Sequence, residues 1–540
     1  MIFRGLLIAW AIVAQAGAQD VARMTRLVEA RADGDRFMGS VLVTRAGRTV
    51  FERSVGFADA EWHVPNSADT RFRIGSITKQ FTAAAVLLLQ EEGKLQLSDP
   101  VSRHVPGAPA SWHDITLYQL LTHTAGLPSV TELPEYPQRK LSPATPLQIV
   151  DLIRELPLDF PPGEKFHYSN SGYIVLGAVI EQASGRSYET FLRERVLQPL
   201  GLENTGVDGN DAILPRRAAG YAHDAQGQLI HAPYIDMSLP HAAGSFYSST
   251  HDLARWCDSL FGGKLLSPAS LEKMISPHLS DYALGLGVKT EGGRRVIQHG
   301  GGIEGFNSYL AFYPDPQLVV VVLANVNGPA AAELAGELAA VALGDPAAFP
   351  AERPVAVLPS SGLAGYVGVY RLTDKVTIAV RQRDDHLTVQ LSGQAEFPLF
   401  PESGTKFFLK VVDAQIEFSR DANGRVAQLT LHQNGHAQVA PRISDRVVER
   451  REIELPRPAK EALLGVYQLR PGLALTIALE GDQLTSQATG QAKAPIFPES
   501  DTRFFFKVVD AQLEFFTDAE GRVTHLVLHQ GPMDVTAPRR

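Results

Sequence analysis

Residues 41–45 and 50–55 alternate apolar and polar positions on either side of Ala46-Gly47-Arg48, a pattern that predicts a β-hairpin. From Phe81 to Leu89 every position but Thr82 is apolar, which predicts a helix buried on nearly all sides. Leu318 to Leu323 reads Leu-Val-Val-Val-Val-Leu and predicts a buried strand, and the alanine-rich stretch after Pro329 predicts a closing helix. Strand and helix signals therefore mix over the first block, from about residue 20 to 345.

Beyond it the chain repeats itself at an offset of 97. Gly368-Val369-Tyr370 returns as Gly465-Val466-Tyr467, and Ala440-Pro441-Arg442 as Ala537-Pro538-Arg539. Phe407 to Phe418 and Phe504 to Phe515 agree at ten of twelve positions. Short alternating runs and turns such as Asp421-Ala422-Asn423-Gly424 predict a small antiparallel barrel or sandwich for each copy. Two copies are too few for a solenoid. Pro- and charge-bearing linkers are expected at about 345–359 and 445–458. The domain reading is thus 1–18, 19–345, 346–450 and 451–540.

The first 18 residues read as an export signal: Arg4, an apolar run from Gly5 to Val13, and Ala16-Gly17-Ala18 as a small-residue cleavage site. That run is too short to span a bilayer, and no later stretch is long enough. A periplasmic or secreted chain without a stable membrane anchor is expected. The net charge of −9 argues against a nucleic-acid partner. The lone Cys257 cannot form an internal disulfide and reads as a core residue. No H-E-x-x-H, paired C-x-x-C, P-loop, dinucleotide fingerprint or G-x-S-x-G is present, so no metal and no cofactor are expected.

Three segments could carry chemistry. In Ser76-Ile77-Thr78-Lys79 the serine and lysine stand one helical turn apart, and burial at the head of an apolar helix would leave Lys79 neutral and able to take the Ser76 proton. The same S-x-x-K spacing occurs at Ser270 and Ser403. Ser403 reads as surface, because Arg503 replaces Lys406 in the second copy, and Ser270 reads as a helix cap. Ser76 itself could be only a cap. Tyr168-Ser169-Asn170 joins a proton-relaying phenol to a carboxamide suited to a lysine and a substrate carbonyl, although Asn170 could instead cap the helix starting near Ser171. In His299-Gly300-Gly301-Gly302 the glycines would let a strand edge approach a ligand; a plain turn is the alternative, and H-x-G recurs at His529.

In this order the three segments resemble the serine β-lactamase and penicillin-binding protein superfamily, in the branch of class C β-lactamases, family VIII esterases and D-aminopeptidases. Phe72-Arg73-Ile74-Gly75, the run Leu120 to Leu127 (Leu-Leu-Thr-His-Thr-Ala-Gly-Leu) and Pro161-Pro162-Gly163 strengthen the likeness, which covers about residues 25 to 340. The resemblance implies an α/β (α+β) three-layer sandwich with a helical subdomain, followed here by two small antiparallel β-barrels. It implies Ser76 as the acylated nucleophile, Lys79 and Tyr168 as the proton-transfer pair, and Asn170 as a substrate-orienting residue. The His299–Gly302 segment would complete the site, the amides of Ser76 and Gly302 forming the oxyanion hole. Histidine replaces the lysine that opens the third segment in most β-lactamases, which should weaken recognition of a substrate carboxylate. The expected function is a serine hydrolase acting on esters, amides or short peptides; a slowly deacylating penicillin sensor and a retired hydrolase fold are the alternatives. Small-molecule or short-peptide substrates are the expected partners, and an oligomer is compatible with the sequence.

Overall fold

A computed structural model describes residues 17, 19–224, 227–345, 349, 353 and 355–540, apart from positions 375, 395, 411, 413, 434–435, 448–449, 451, 471–472, 490–492, 508 and 531–532. The expected export signal lies almost wholly outside the described residues, as does much of the first linker. Residues 1–347, without 224–228, form one compact unit; residues 348–540 belong to a second.

The first unit is built on a six-stranded antiparallel sheet. Its strands are β1 (Gly39–Arg45), β2 (Arg48–Val55), β3 (Gly287–Glu291), β4 (Arg294–Ile303), β5 (Phe306–Tyr313) and β6 (Leu318–Ala324), in the order β3-β4-β5-β6-β1-β2. The predicted hairpin is β1–β2, turned at Ala46 and Gly47 with φ of 49° and 71°. Two left-handed residues match the right-handed twist of the strands they join. The alternation expected of β1 is overridden: six of its seven residues are buried, because it lies inside the sheet against β6 in unbroken register from Gly39↔Ala324 to Arg45↔Leu318. All seven residues of β6 are buried, as the Val-rich run predicts.

Helices cover the sheet. Helix α1 spans residues 19–32. Its Arg31 pairs with Glu333 and with Glu337, the latter at 2.5 Å, on the closing helix Ala330–Leu343. Helix α2 (Thr78–Glu91) is buried from Thr78 through Leu89. It packs with α3 (Asn170–Ser184), with the one-turn helix α4 (His241–Gly244) and, through the Phe81–Trp256 ring stack at 4.1 Å, with α5 (Thr250–Phe261). Cys257 is buried on α5, and burial pushes its thiol up, which suits a core residue. Ser270 does not cap its helix: Ser267 does, accepting the Ser270 N–H.

In the second unit the first repeat closes into an eight-stranded antiparallel barrel between Gly368 and Ser444. The second copy opens the same design into sheets of four and five strands, split at Ile496 and rejoined at the other seam by a Tyr467–Arg539 bridge. Duplicated contacts show how faithfully the repeat is kept. Tyr370 donates to the Tyr366 carbonyl at 2.7 Å, and Tyr467 to that of Leu463 at 2.6 Å. The Gln415–Glu402 bond likewise recurs as Gln512–Glu499. Ser403 is exposed in a turn, where it accepts the Lys406 N–H.

Candidate active site

Ser76 stands in a single 3-10 turn, Gly75–Ile77, that feeds α2. It caps nothing: the residue before α2 is Ile77, with no side-chain cap bond. Gly75 makes the turn possible, because its φ is 49° and a Cβ there would sit 2.8 Å from the amide nitrogen of Gly302. That closeness sets the Gly302 amide beside the Ser76 turn. One turn on, Lys79 is fully buried and its Nζ donates to Ser76 Oγ at 3.0 Å, Asn170 Oδ1 at 2.9 Å and the Ala243 carbonyl of α4 at 2.8 Å. Among the described residues no carboxylate forms an ion pair with it. Burial therefore holds the Lys79 ammonium well below its ordinary pKa.

Tyr168 lies over Lys79, its ring centre 4.8 Å from Nζ, and its phenol hydrogen-bonds with Ser76. Burial pushes that phenol up, and the Ser76 contact only partly opposes the shift. Asn170 is the first residue of α3 and not its cap; Ser169 precedes the helix without a side-chain cap bond. The Asn170 carboxamide is instead committed to Lys79 and, through Nδ2, to Thr131 Oγ1 at 3.2 Å.

The third segment divides. Gly302 lines the cavity of about 210 Å³ that opens onto Ser76; His299, Gly300 and Gly301 do not. The expected ligand approach at the glycines is in part a packing contact: a Cβ on Gly301 would overlap the Ile74 carbonyl oxygen and Ser308 Oγ. Gly300 is under no such constraint, since a Cβ there would meet its first neighbour at 3.6 Å. His299 is buried, accepts the Tyr282 hydroxyl at Nε2 (2.9 Å) and donates from Nδ1 to the Gly300 carbonyl (2.6 Å). Burial, reinforced by Lys79, holds it at about 4, so it is neutral at pH 7.

Several contributors carried no role in the sequence reading. His123, in the Leu120–Leu127 run, has a left-handed φ of 57°, packs its ring at a tilt with its centre 4.2 Å from that of Tyr168, and accepts the Ser169 N–H at 3.1 Å. It thereby fixes the Tyr-Ser-Asn segment. Ser129 accepts the Asn170 N–H at 3.2 Å and bonds Thr131 at 3.0 Å. The Ala242-Ala243-Gly244 run was the available sign that a backbone passes close to Lys79. Val130, Tyr136, Ile174, Ile235, Leu239 and Pro240 give the cavity apolar walls. Its one charged lining residue, Glu304, is bonded by Lys140 at 2.6 Å.

The family model described as Beta-lactamase matches residues 24–344. The chain belongs to the Beta-lactamase family. A domain of unknown function (DUF3471) matches twice beyond it, at 352–452 and 449–537, in step with the two repeats. Penicillin-binding protein 4* of Bacillus subtilis is 30% identical over 447 residues, covering 77% of this chain and 97% of that protein. Among solved structures, the octameric penicillin-binding protein homologue from Pyrococcus abyssi is 26% identical with a TM-score of 0.58, covering 78% of this chain and all of that one. The D-amino acid amidase from Ochrobactrum anthropi is 26% identical with a TM-score of 0.53, covering 60% and 99%. With these relatives, this member of the family is a serine hydrolase.

Proposed function

We propose that the chain is an exported hydrolase that cleaves amides or esters through an acyl-Ser76 intermediate. The observation that carries this reading is the buried Lys79, bonded to Ser76 Oγ and without a carboxylate partner among the described residues. Neutral Lys79 takes the Ser76 proton as Oγ attacks the substrate carbonyl carbon. The Ser76 and Gly302 amides then face the developing oxyanion. Collapse expels the amine or alcohol, protonated by Lys79 directly or through the Tyr168 hydroxyl. Water attacks the acyl carbon next, passing a proton back along the same path, and Ser76 is regenerated.

The cavity walls bear on the acyl donor. They are apolar, carry no lysine or arginine, and their one charged residue, Glu304, is already paired with Lys140. A neutral His299 supplies no cation either. We therefore favour uncharged or amine-bearing acyl donors with apolar side chains, such as D-amino-acid amides and esters, over β-lactams and D,D-peptides with a free carboxylate. The amidase relative supports this choice. Relatives called penicillin-binding proteins support a second reading, in which the acyl-enzyme persists.

Intact-mass spectrometry after a fluorophosphonate, with peptide mapping, tests the nucleophile. An adduct on Ser76, absent in Ser76→Ala, is expected; an unlabelled or differently labelled folded protein overturns the assignment. Mass spectra taken during turnover of a D-amino-acid amide and of penicillin then separate hydrolysis from a lasting acyl-enzyme.

A further inference from the structure

The two repeats share one design, so their differences stand out against a common frame. In the first, a cavity of about 360 Å³ is lined by residues of the segment 355–363 and by 385–387, 398–401 and 407. Four of these recur in the second copy: Leu387, Pro398, Phe400 and Phe407 return as Leu484, Pro495, Phe497 and Phe504. The covering segment is seated alike in both, by the Ala356 N–H on the Pro401 carbonyl at 2.8 Å and the Ile453 N–H on that of Pro498 at 2.9 Å. Its side chains differ. Val355, Val357, Ser360 and Leu363 stand where the second copy has Glu452, Glu454, Arg457 and Lys460. There Lys460 pairs with Asp482 at 2.9 Å, Arg457 with Glu461 at 2.8 Å and Glu452 with Lys507 at 2.8 Å. In the first copy those charges are gone, and Val355 and Val357 are 49% and 97% exposed. Both line the cavity, so exposed apolar surface runs into it.

A second difference points to the polar end of a ligand. Lys507 lies with its ammonium 3.6 Å from the centre of the Phe497 ring and receives the Glu452 carboxylate. Its counterpart Lys410 lies 4.1 Å from the centre of the Phe400 ring. Val355 takes the place of Glu452 there, and among the described residues no carboxylate pairs with Lys410. Phe400 and Val355 both line the cavity, so the position that a carboxylate takes in the second copy borders the apolar space in the first. Asp385, the one acid on that wall, is 89% exposed and bonds His386 at 3.2 Å.

We propose that the first repeat binds an amphiphilic carboxylate, its alkyl chain in this cavity and its carboxylate on Lys410 beside Phe400. In the second repeat Glu452 does from within the chain what the ligand's carboxylate does in the first. The site is independent of the chemistry at Ser76.

The test is calorimetric titration of the full chain with octanoate, below its micelle concentration. One-site binding is expected, weakened about fivefold by Lys410→Gln, as for an exposed charge pair. Val355→Glu supplies the missing carboxylate from the chain and should abolish binding, whereas Lys507→Gln should leave it unchanged. 1-Octanol should bind the parent chain and Lys410→Gln equally, and acetate neither. Melting curves show that each variant is folded. N-octanoylglycine titrated in parallel identifies the source: tighter binding than octanoate assigns an acylated amino acid, weaker binding a free fatty acid. Three results overturn the proposal: no binding at millimolar octanoate, binding unchanged in both Lys410→Gln and Val355→Glu, or an equal loss in Lys507→Gln.

Discussion

Lys79 has three donor positions and three oxygens to receive them, yet no anion beside it to hold its charge. The two facts fit one cycle: the neutral amine accepts from Ser76, and the three oxygens steady the ammonium once it forms. Tyr168 is displaced the other way by burial, so its phenolate is the costlier base. With Lys79 as the base, kcat/KM should rise with pH through a single ionisation well below 10.5, because the protonated form is inactive. Lys79→Arg keeps the charge and cannot deprotonate. It should lower kcat about 10²- to 10⁴-fold and erase that rise; a variant with the same pH profile would remove Lys79 from the role. His299 gives a second pH effect, on stability. Its pKa is about 4 when folded and near 6.5 when unfolded. Below pH 6.5 the unfolded chain takes up a proton that the folded chain refuses, so this stability is whole above 6.5 and is lost between 6.5 and about 4. The loss is of order 3 kcal/mol at most. His299→Gln, which can keep both hydrogen bonds, should show a shallower fall in Tm from pH 7 to pH 4.5; an unchanged fall would mean that other groups set the acid limb.

The Ser308 hydroxyl of β5, which pairs with Gly301 of β4, bonds the Ile74 carbonyl at 2.8 Å and so ties the β4–β5 pair to the segment before the Ser76 turn. Gly301 leaves room for that contact, whereas Gly300 has space to spare. Gly301→Ala should therefore cost about 1–3 kcal/mol and slow acylation of Ser76. Gly300→Ala should stay within about 1 kcal/mol, and chemical denaturation with fluorophosphonate labelling rates checks both. Equal losses would mean that the Ile74 contact does not hold the strand. The elements themselves were legible wherever burial imposed a period or an unbroken apolar run. The β1–β2 hairpin, the heart of α2, β6 and the closing helix all stood where the pattern put them. Legibility stopped where contacts come from distant segments without a period. Nothing local shows that Gly301 meets Ile74 or that Thr131 supports Asn170. Caps misled for a related reason. Ser76, Asn170 and Ser270 all have cap chemistry, but Ser76 and Asn170 are engaged by Lys79, while Ser267 has taken the cap at the third.

At the scale of the chain, hydrophobic cores delimit what folds together. One large buried cluster runs from Leu42 to Leu323, and separate clusters fill the two repeats, from Leu363 to Ala440 and from Leu455 to Ala537. The sequence repeat fits separate cores, because two copies with the same alternation and the same buried tyrosine can each enclose their own. It could not foretell that one copy closes and the other splits at Ile496, since both carry proline at the matching positions 398 and 495. Core membership leads to a prediction about independence. Every residue given a role at Ser76 belongs to the first unit, and no residue of its core lies beyond Leu323. The helix that covers the sheet ends at Leu343. Deleting residues 350–540 should therefore leave a protein that melts cooperatively and still labels at Ser76. Calorimetry and mass spectrometry on that fragment decide the point. A fragment that melts without a cooperative transition would show that the repeats complete the fold of the first unit. A folded fragment that labels normally but loses turnover of larger substrates would assign the repeats to substrate selection.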